Sequence, residues 1–350
     1  MILRINTRPV HVGNVQIGGQ DKVVIQSMCN IKTSHVAEVA KQINEATTLG
    51  AEIMRLAVLD LEDAKAISEI KKLISIPLVA DIHFDYRLAL AAMEAGVDAI
   101  RLNPGNIGSI DRIRQVVDMA KALSVPIRIG VNSGSIDRSI YSYDQELTAQ
   151  HLVNSAKKHV KILEDLGFFD IVISLKGTDV KETIAAYRLA SETFPYPLHL
   201  GITEAGTKEI GIIRSAAGLS PLLLSGIGDT IRISLSASPL DEIVTAKRLL
   251  HDLGLYPNYP TLISCPTCGR TQVDVIALAN KVLTYIEKVN KPITVAVMGC
   301  VVNGPGEASN ADIGLAGGRG QYAIFKKGKV IASCPEDEAF ARLKKEIDNL

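Results

Sequence analysis

Short aliphatic segments recur through the first two thirds of the chain, and each is followed by a stretch with helical periodicity. Strict alternation of this kind predicts parallel strands joined by right-handed crossover helices. Eight such units over roughly 250 residues match a closed (β/α)8 barrel of the TIM type in number and in length. The predicted strands are Val23–Met28, Glu52–Val58, Pro77–Phe84, Ala99–Pro104, Pro126–Asn132, Asp170–Lys176, Pro197–Thr203 and Thr230–Ser236.

An open, doubly wound α/β sheet is the structural alternative to the barrel. Such a sheet usually has fewer strands and a glycine-rich turn after the first of them. No G-x-G-x-x-G motif follows Val23–Met28, so the sequence lacks the dinucleotide-binding fingerprint. We therefore expect a barrel.

The pattern changes after Leu253, where Gly254, Pro257 and Pro260 indicate a linker. Residues 265–350 mix helical and strand signals, which is typical of a smaller α+β domain. The sequence therefore predicts a barrel over residues 1–253, a linker over 254–264 and a second domain over 265–350. Its predicted elements are a helix near Gln272–Val289, strands at Ile293–Met298, Tyr322–Phe325 and Val330–Ser333, and a last helix from about Pro335.

Charge and hydropathy narrow the classes of partner. Lysine plus arginine and aspartate plus glutamate number 38 each, so no net charge favours nucleic acid or an acidic membrane. The most apolar stretch, Ala216 to Ile227, contains Pro221 and is shorter than the ~18 residues of a membrane span. The first residues lack the apolar core of a secretory signal. We expect a cytoplasmic protein in which any function that depends on charge is local.

Basic side chains interrupt strand segments that should otherwise be aliphatic. Unpaired charges buried against the helix layer would cost several kcal/mol, so these side chains are expected to converge on the mouth of the barrel. Guanidinium groups bind phosphate oxygens in pairs, and such a group of cations predicts a phosphate ligand. Internal ion pairs with Asp81, Glu52 and Glu204 are the alternative. The cations are Arg55, Arg101, Arg128, Lys176 and Arg232.

Other polar residues share this face of the predicted strands, since side chains alternate along a strand and barrel active sites form at the carboxyl ends. Glu204 lies just past the seventh strand, where a carboxylate is suited to moving protons. A strand histidine is often a structural group, which leaves the role of His83 open and makes His199 a weaker candidate. The predicted substrate-binding residues, besides the cations, are Asp81, His83, Asn103, Asn132, Ser174, Ser234 and Ser236.

The second domain contains a cysteine pattern typical of a metal centre. Cys265 and Cys268 form a C-x-x-C motif, and Cys300 follows in a segment rich in glycine and proline. Disulfides are not expected in a reducing compartment. An iron–sulfur cluster and a zinc ion with Cys334 as fourth ligand both fit soft thiolates. Cys29 and Cys334 are more simply interpreted as small buried residues.

Six motifs together resemble the bacterial 4-hydroxy-3-methylbut-2-enyl diphosphate synthases. The resemblance extends over essentially the whole chain and is to the short form, which has no domain inserted between the barrel and the cluster domain. The motifs are VADIHFD (79–85), IRLNPGN (100–106), IRIGVN (127–132), HLGITEAG (199–206), CPTCGR (265–270) and MGCVVNGPGE (298–307).

The resemblance implies reductive ring opening of 2-C-methyl-D-erythritol 2,4-cyclodiphosphate in the non-mevalonate route to isoprenoids. It implies a [4Fe-4S] cluster with Cys265, Cys268, Cys300 and Glu307 as ligands, and a ferredoxin or flavodoxin as electron donor. The five cations would then bind the diphosphate, and Glu204 would transfer protons. A zinc-stapled phosphosugar aldolase or isomerase barrel and a phosphosugar-binding protein without catalytic activity are the alternatives.

The resemblance also suggests a head-to-tail homodimer with shared active sites. The predicted helix Leu240–Leu253 runs back from the catalytic face toward the bottom of the barrel. The linker 254–264 reaches at most ~40 Å when fully extended, and its prolines make full extension along the barrel wall unfavourable. We therefore expect each cluster domain to cap the barrel of the partner chain.

Overall fold

The computed structural model describes residues 4–132, 145–300 and 308–350. It divides the chain into two compact units, Met1–Leu255 and Tyr256–Leu350. Among the described residues, no helix is long and apolar enough to cross a membrane.

A small antiparallel hairpin that the sequence did not predict precedes the barrel. It consists of β1 (Val10–Val12) and β2 (Val15–Ile17). Val12 and Ile17 pack against the first residues of neighbouring barrel strands, including Val24 and Ile53. The hairpin therefore covers the amino-terminal end of the barrel with apolar side chains.

The first unit is the predicted (β/α)8 barrel. Its eight parallel strands lie in the order β8, β7, β6, β5, β4, β3, β10, β9, and an isolated bridge between Ile173 and Leu198 connects β8 to the chain before β9. Most of their side chains are buried on both faces, as expected for a parallel sheet covered by helices. The strands are β3 (Val24–Met28), β4 (Ile53–Val58), β5 (Leu78–Ile82), β6 (Ala99–Arg101), β7 (Ile127–Asn132), β8 (Ile171–Lys176), β9 (His199–Leu200) and β10 (Thr230–Ile231).

Helices surround the sheet, and several begin at a capping side chain. The carboxylates of Asp60 and Asp179 each accept a backbone N–H of the helix that follows. Gly50 ends the first helix in the left-handed conformation, with a φ of 105°. The helices are α1 (Val36–Leu49), α2 (Leu61–Lys71), α3 (Tyr86–Glu94), α4 (Ile110–Leu123), α5 (Gln145–Asp165), α6 (Val180–Thr193), α7 (Lys208–Leu224) and α8 (Pro239–Asp252).

The last two barrel strands are much shorter than predicted, because side chains take the place of ladder hydrogen bonds. The hydroxyl of Tyr187 accepts from the N–H of Leu175 at 3.1 Å and donates to the carbonyl of His199 at 2.6 Å. It thereby joins β8 to β9. Beyond β10, the N–H of Leu235 donates to Glu242 instead of to a strand.

The second unit is a mixed five-stranded sheet in the order β11 to β15, with β11, β12 and β13 parallel and β13, β14 and β15 antiparallel. Two helices pack on one face, where Val282 and Leu343 contact Val295 and Val297 within one apolar core. The elements are β11 (Thr261–Ser264), α9 (Val275–Val289), β12 (Thr294–Met298), β13 (Ile313–Gly318), β14 (Gln321–Lys326), β15 (Lys329–Pro335) and α10 (Ala339–Asp348).

The prediction of a linker over 254–264 is wrong at its carboxyl end. Strand β11 lies inside it, because the N–H of Thr261 donates to the carbonyl of Ile293 and starts a parallel ladder with β12. The prolines that indicated a linker end at Pro260, and the next residues are β-formers. Strand β13, which is rich in glycine and alanine, was not predicted.

Candidate active site

A polar cavity opens at the carboxyl ends of the barrel strands and encloses about 540 Å³, counting the solvent at its mouth. The structure brings ten of the predicted residues together on its wall: Arg55, Asp81, His83, Arg101, Arg128, Asn132, Ser174, Lys176, Arg232 and Ser234. Gly130 and Thr203 complete the lining.

Three predicted residues lie outside this lining. The side-chain oxygen of Asn103 accepts the N–H of Gly130 at 2.9 Å, so its amide is bound to strand β7. Ser236 is exposed, and its N–H donates to the carbonyl of Gly206. Glu204 is exposed in the loop after β9, next to the lining residue Thr203, and has a φ of 52°. This left-handed backbone is uncommon for a residue other than glycine.

Asp81 is the central acceptor of the cavity. One oxygen lies 3.1 Å from Arg101 Nη1 and the other lies 3.6 Å from Arg55 Nε. Burial alone would raise the pKa of this carboxyl, but the guanidinium groups of Arg55, Arg101 and Arg128 hold the pKa below its ordinary value. His83 Nε2 lies 2.9 Å from Arg101 Nη1. Since a guanidinium only donates, this ring nitrogen is the acceptor in its contact with Arg101.

Arg128 and Lys176 are the two cations of the cavity that have no anionic partner among the described residues. Arg128 Nη1 donates to the side-chain oxygen of Gln26, while its buried Nη2 has no protein partner in the described part of the chain. Lys176 is 7% exposed and forms no salt bridge to a described carboxylate. Burial, together with the charges of Arg55, Arg232 and Arg128, lowers the pKa of Lys176 well below its ordinary value. Such an environment favours an anionic ligand.

The alternative of internal ion pairs therefore explains only part of the site. Asp81 pairs with Arg55 and Arg101, as that alternative expected. The expectation for Glu52 is wrong, because its carboxylate contacts Lys22. Arg232 pairs with a carboxylate that was not predicted, that of Glu242 at 3.1 Å.

Two glycines make room for the cations. A Cβ on Gly130 would lie 2.6 Å from Arg101 Nε. A Cβ on Gly201 would lie 2.8 Å from Lys176 Nζ and 2.9 Å from the carbonyl oxygen of Arg232. Any larger residue at either position would force the neighbouring basic side chain or the neighbouring backbone to move.

His199 has the surroundings of a structural residue. It is fully buried on β9, and its Nδ1 lies 3.4 Å from the hydroxyl of Thr230. Burial, reinforced by the charges of Arg128 and Lys176, lowers the pKa of its imidazole well below the ordinary value. We therefore interpret His199 as a neutral imidazole that is buried in the barrel.

In the second unit, the loops after two adjacent parallel strands carry the three predicted thiolate ligands. Cys265 follows β11 and Cys300 follows β12. The N–H of Gly299 donates to Cys265 Sγ at 3.1 Å, and Cys268 is exposed. A backbone N–H from Arg270, and then its positive charge, lower the pKa of Cys268 and favour its thiolate. Glu307 lies outside the described residues.

The other two cysteines are buried away from this motif. Cys334 is 2% exposed in the apolar core beneath α9 and α10, opposite Tyr322 in the sheet. Cys29 lies in the barrel unit, where burial raises the pKa of its thiol to about 12. Both side chains are apolar packing groups in this structure.

The donor set of three cysteines fits an iron–sulfur cluster, since such clusters are held by cysteine thiolates. Among the described residues, no three His, Cys, Asp or Glu side chains converge closely enough to hold one metal ion. A cluster does not require such convergence, because its ligands bind different iron atoms. A sulfur that accepts a backbone N–H, as Cys265 does, is typical of the surroundings that tune such clusters.

Comparison with known families decides the relationship of this chain. A model of the GcpE TIM-barrel domain matches residues 7–247, and a model of the GcpE protein C-terminal domain matches residues 261–349. The chain belongs to the GcpE family. Both GcpE matches stay within the two compact units of the structure.

Curated GcpE relatives cover the chain almost completely. A protein of Lysinibacillus sphaericus is 55% identical over 347 residues, which is 99% of this chain and 94% of the relative. A protein of Listeria monocytogenes is 55% identical over 349 residues, which is 100% of this chain and 95% of the relative. Both are named 4-hydroxy-3-methylbut-2-en-1-yl diphosphate synthase (flavodoxin). They confirm the family resemblance seen in the motifs.

Solved structures of another enzyme share the barrel fold of this GcpE chain. Dihydropteroate synthase from Stenotrophomonas maltophilia aligns with a TM-score of 0.52 at 15% identity, over 67% of this chain and 93% of its own. The Xanthomonas albilineans enzyme gives 0.51 at 12% identity, over 72% and 97%. At such identities the likeness concerns the fold alone.

Sequence reasoning missed Gln26, Met28, Thr203 and Glu242 in this GcpE site. Gln26 and Met28 share one face of β3, the strand in which no polar residues were sought. Thr203 follows a strand that ends earlier than predicted. Glu242 lies on helix α8, where nothing in the sequence distinguishes it from a solvated carboxylate.

Proposed function

We propose that this chain is a 4-hydroxy-3-methylbut-2-enyl diphosphate synthase. It opens the ring of 2-C-methyl-D-erythritol 2,4-cyclodiphosphate by reduction, with electrons delivered through a [4Fe-4S] cluster. Two electrons and two protons enter, one ring C–O bond breaks, one hydroxyl leaves as water and a C=C bond forms. The observation that carries the proposal is the cavity of five cations in which Arg128 and Lys176 lack an anionic partner among the described residues.

Arg128 and Lys176 supply the strongest attraction for the diphosphate. Phosphate oxygens replace the missing partner of Arg128 Nη2 and the missing counterion of Lys176 Nζ. Arg101 and Arg55 are held in place by Asp81, so their free edges are oriented before the ligand arrives.

Polar neutral side chains complete the binding site in this proposal. Asn132, Ser174 and Ser234 line the cavity and bind oxygens of the sugar-derived part or of the phosphates. Asn103 and Ser236 act from the edges of the site, through the backbone segments that they hold.

Glu204 is assigned to proton handling near the mouth, and His83 is assigned to the substrate-binding site. Two hydrogen bonds hold the loop just after Glu204. The side chain of Arg214 donates to the carbonyl of Ala205, and the N–H of Ser236 donates to the carbonyl of Gly206. On a fixed loop beside the cavity, the protonated carboxyl group can deliver its proton to the leaving hydroxyl and is left as a carboxylate. His83 Nε2 contacts Arg101 Nη1, which also donates to Asp81, so His83 helps to orient this cation.

Cys265, Cys268, Cys300 and Glu307 are the proposed ligands of the cluster. When bound, such a cluster supplies electrons singly and an iron atom that acts as a Lewis acid. We assign flavodoxin as the electron donor, because the curated relatives are named for it, with ferredoxin as the alternative. The reaction belongs to isoprenoid precursor synthesis, and we propose a cytoplasmic location.

The proposal includes a homodimer in which each active site combines the barrel of one chain with the cluster domain of the other. It predicts that an inactive Glu204→Gln chain and an inactive Cys268→Ser chain restore activity when their subunits exchange. Each mixed dimer would then contain one site with both lesions and one site with neither. Mixed dimers that form and stay inactive would contradict the shared site.

The test of the function is anaerobic reconstitution with iron and sulfide, followed by reaction with the cyclodiphosphate and reduced flavodoxin. The proposal predicts a brown protein and a linear allylic diphosphate detected by mass spectrometry. The Cys268→Ser variant should give no product. A colourless zinc protein that cleaves or isomerises phosphosugars, or a protein that binds the substrate but never converts it, would overturn the proposal.

A further inference from the structure

Glu242 is a buried carboxylate outside the cavity lining that organises one side of the cavity. It lies on α8 and is 3% exposed. Its Oε2 accepts from Ser27 Oγ at 2.6 Å and from Arg232 Nε at 3.1 Å. Its Oε1 accepts from Arg232 Nη2 at 3.1 Å and from the N–H of Leu235 at 3.0 Å. Each oxygen therefore accepts two hydrogen bonds, from donors in strand β3 and in the segment that follows β10.

The first consequence concerns the orientation of Arg232. The bidentate contact with Glu242 occupies the Nε and Nη2 edge of the guanidinium. Its Nη1 lies 3.5 Å from the sulfur of Met28, and the side chain lines the cavity. A planar fork held along one edge presents its other edge in one direction. Glu242 thus decides which donors of Arg232 face the cavity.

The second consequence concerns the backbone that follows strand β10. The continuous ladder of β10 ends at Ile231, and the described segment beyond it keeps only single backbone contacts, from Arg232 to Leu200 and from Ser236 to Gly206. The contact of Leu235 with Glu242 fixes this segment between Ser234, which lines the cavity, and Ser236. Ser236 in turn binds the carbonyl of Gly206, close to Glu204.

We propose that Glu242 is a positioning residue for the phosphate site and acts through Arg232 and the Leu235 backbone without touching the substrate. This inference rests on the proposed function, in which Arg232 binds a phosphate group. The role requires a carboxylate, since all four contacts of Glu242 come from donors. A glutamine would direct an NH2 group at one of these donors and break the bidentate contact.

The test compares Glu242→Gln and Glu242→Asp with Asp241→Asn as a matched control. Asp241 is the preceding residue on the same helix, and its carboxylate pairs with Lys208 at 2.8 Å and with no described residue of the cavity. Four quantities are measured: the Tm, the affinity for inorganic pyrophosphate by calorimetry, and the KM and kcat for the cyclodiphosphate.

We expect Glu242→Gln to weaken pyrophosphate binding and raise KM on the order of tenfold or more, because an oriented charged contact is lost. We expect a smaller change in kcat. Glu242→Asp keeps the charge but not the reach, so it should fold and still raise KM. Asp241→Asn should match the unaltered chain. Unchanged affinity and KM in a folded Glu242→Asp chain would overturn the proposal, whether or not the glutamine variant folds.

A double-variant cycle separates positioning from simple support of the fold. If Glu242 acts through Arg232, adding Glu242→Gln to Arg232→Ala should change KM by much less than it does in the original chain. Independent, multiplying effects on KM would contradict that route. The pyrophosphate measurement needs no turnover, so an unaltered chain that binds pyrophosphate but forms no product would disprove the proposed function and leave the role of Glu242 testable.

Discussion

The guanidinium of Arg101 donates to the carboxylate of Asp81 at 3.1 Å, with the two side chains only 9% and 10% exposed. This buried pair lies at the mouth of the barrel, where Asp81 also faces Arg55. The carboxylate keeps two cations oriented while leaving the cavity with an excess of positive charge. We therefore expect the pair to contribute both to stability and to the proposed anion binding.

Replacing Asp81 by Asn should lower the free energy of unfolding by about 3–5 kcal/mol at neutral pH, because it leaves buried guanidinium groups uncompensated. Since the folded-state pKa of Asp81 is depressed, its contribution is present above the unfolded pKa of about 3.9 and is lost as pH falls below it. Denaturant unfolding at several pH values should show the two chains converging in stability toward acid pH.

The exposed pair of Lys161 with Asp165 provides the control for this prediction. Asp165→Asn should change the free energy of unfolding by less than about 1 kcal/mol, as is usual for a surface ion pair. A loss for Asp81→Asn no larger than that for Asp165→Asn would mean that the buried pair has no special role.

Gly201→Ala should weaken diphosphate binding, because the added methyl group collides with the Arg232 carbonyl and with Lys176 Nζ. The lysine can move, but the carbonyl belongs to the wall of the barrel. We expect a loss of about 1–3 kcal/mol in the free energy of unfolding and a parallel loss of pyrophosphate affinity. Pyrophosphate affinity is measured by calorimetric titration of the folded variant. An affinity equal to that of the unaltered chain would contradict this packing argument.

Arg128→Ala and Arg101→Ala should each weaken substrate binding by about 1.5–3 kcal/mol, as expected for a lost charge-assisted contact. Their effects on stability should differ. Removal of Arg101 deprives Asp81 of a partner, whereas removal of Arg128 leaves only Gln26 without its donor. Unchanged affinity in both variants would favour a site of internal ion pairs without a phosphate ligand.

Serine in place of Cys265, Cys268 or Cys300 should abolish or degrade the iron–sulfur cluster. Cys334→Ala is the control, since this thiol is buried in the apolar core beneath α9 and α10. Iron and sulfide analysis with visible spectra of the reconstituted proteins measures the outcome. An intact cluster in Cys300→Ser together with its loss in Cys334→Ala would reverse the ligand assignment.

Much of the fold could be predicted from periodicity alone. The helices α1 and α4 follow the first and fourth predicted strands as the alternation predicted, because regular apolar spacing marks both helices. The ends of strands β9 and β10 could not be predicted from the sequence. Their ladders end early because Tyr187 and Glu242 occupy the backbone groups, and sequence patterns do not register such long-range contacts.

The cations of the site and Asp81 could be predicted, but Glu242 could not. Basic residues in aliphatic strands are conspicuous, so Arg128 and Lys176 could be assigned to the mouth. Glu242 could not, because a glutamate on an amphipathic helix is ordinarily solvated. The hairpin of β1 and β2 was missed for a similar reason, since strands of three residues carry too little alternation to be recognised.

The most direct test of the proposed reaction counts electrons against product. Anaerobic, cluster-loaded protein is mixed with limiting reduced flavodoxin and excess cyclodiphosphate, and the oxidised flavodoxin and the linear diphosphate are quantified together. The account predicts one product molecule for every two electrons delivered, and none with the Glu204→Gln or Cys268→Ser chains. Product formed without electron consumption, or flavodoxin oxidised without any opening of the ring, would contradict it.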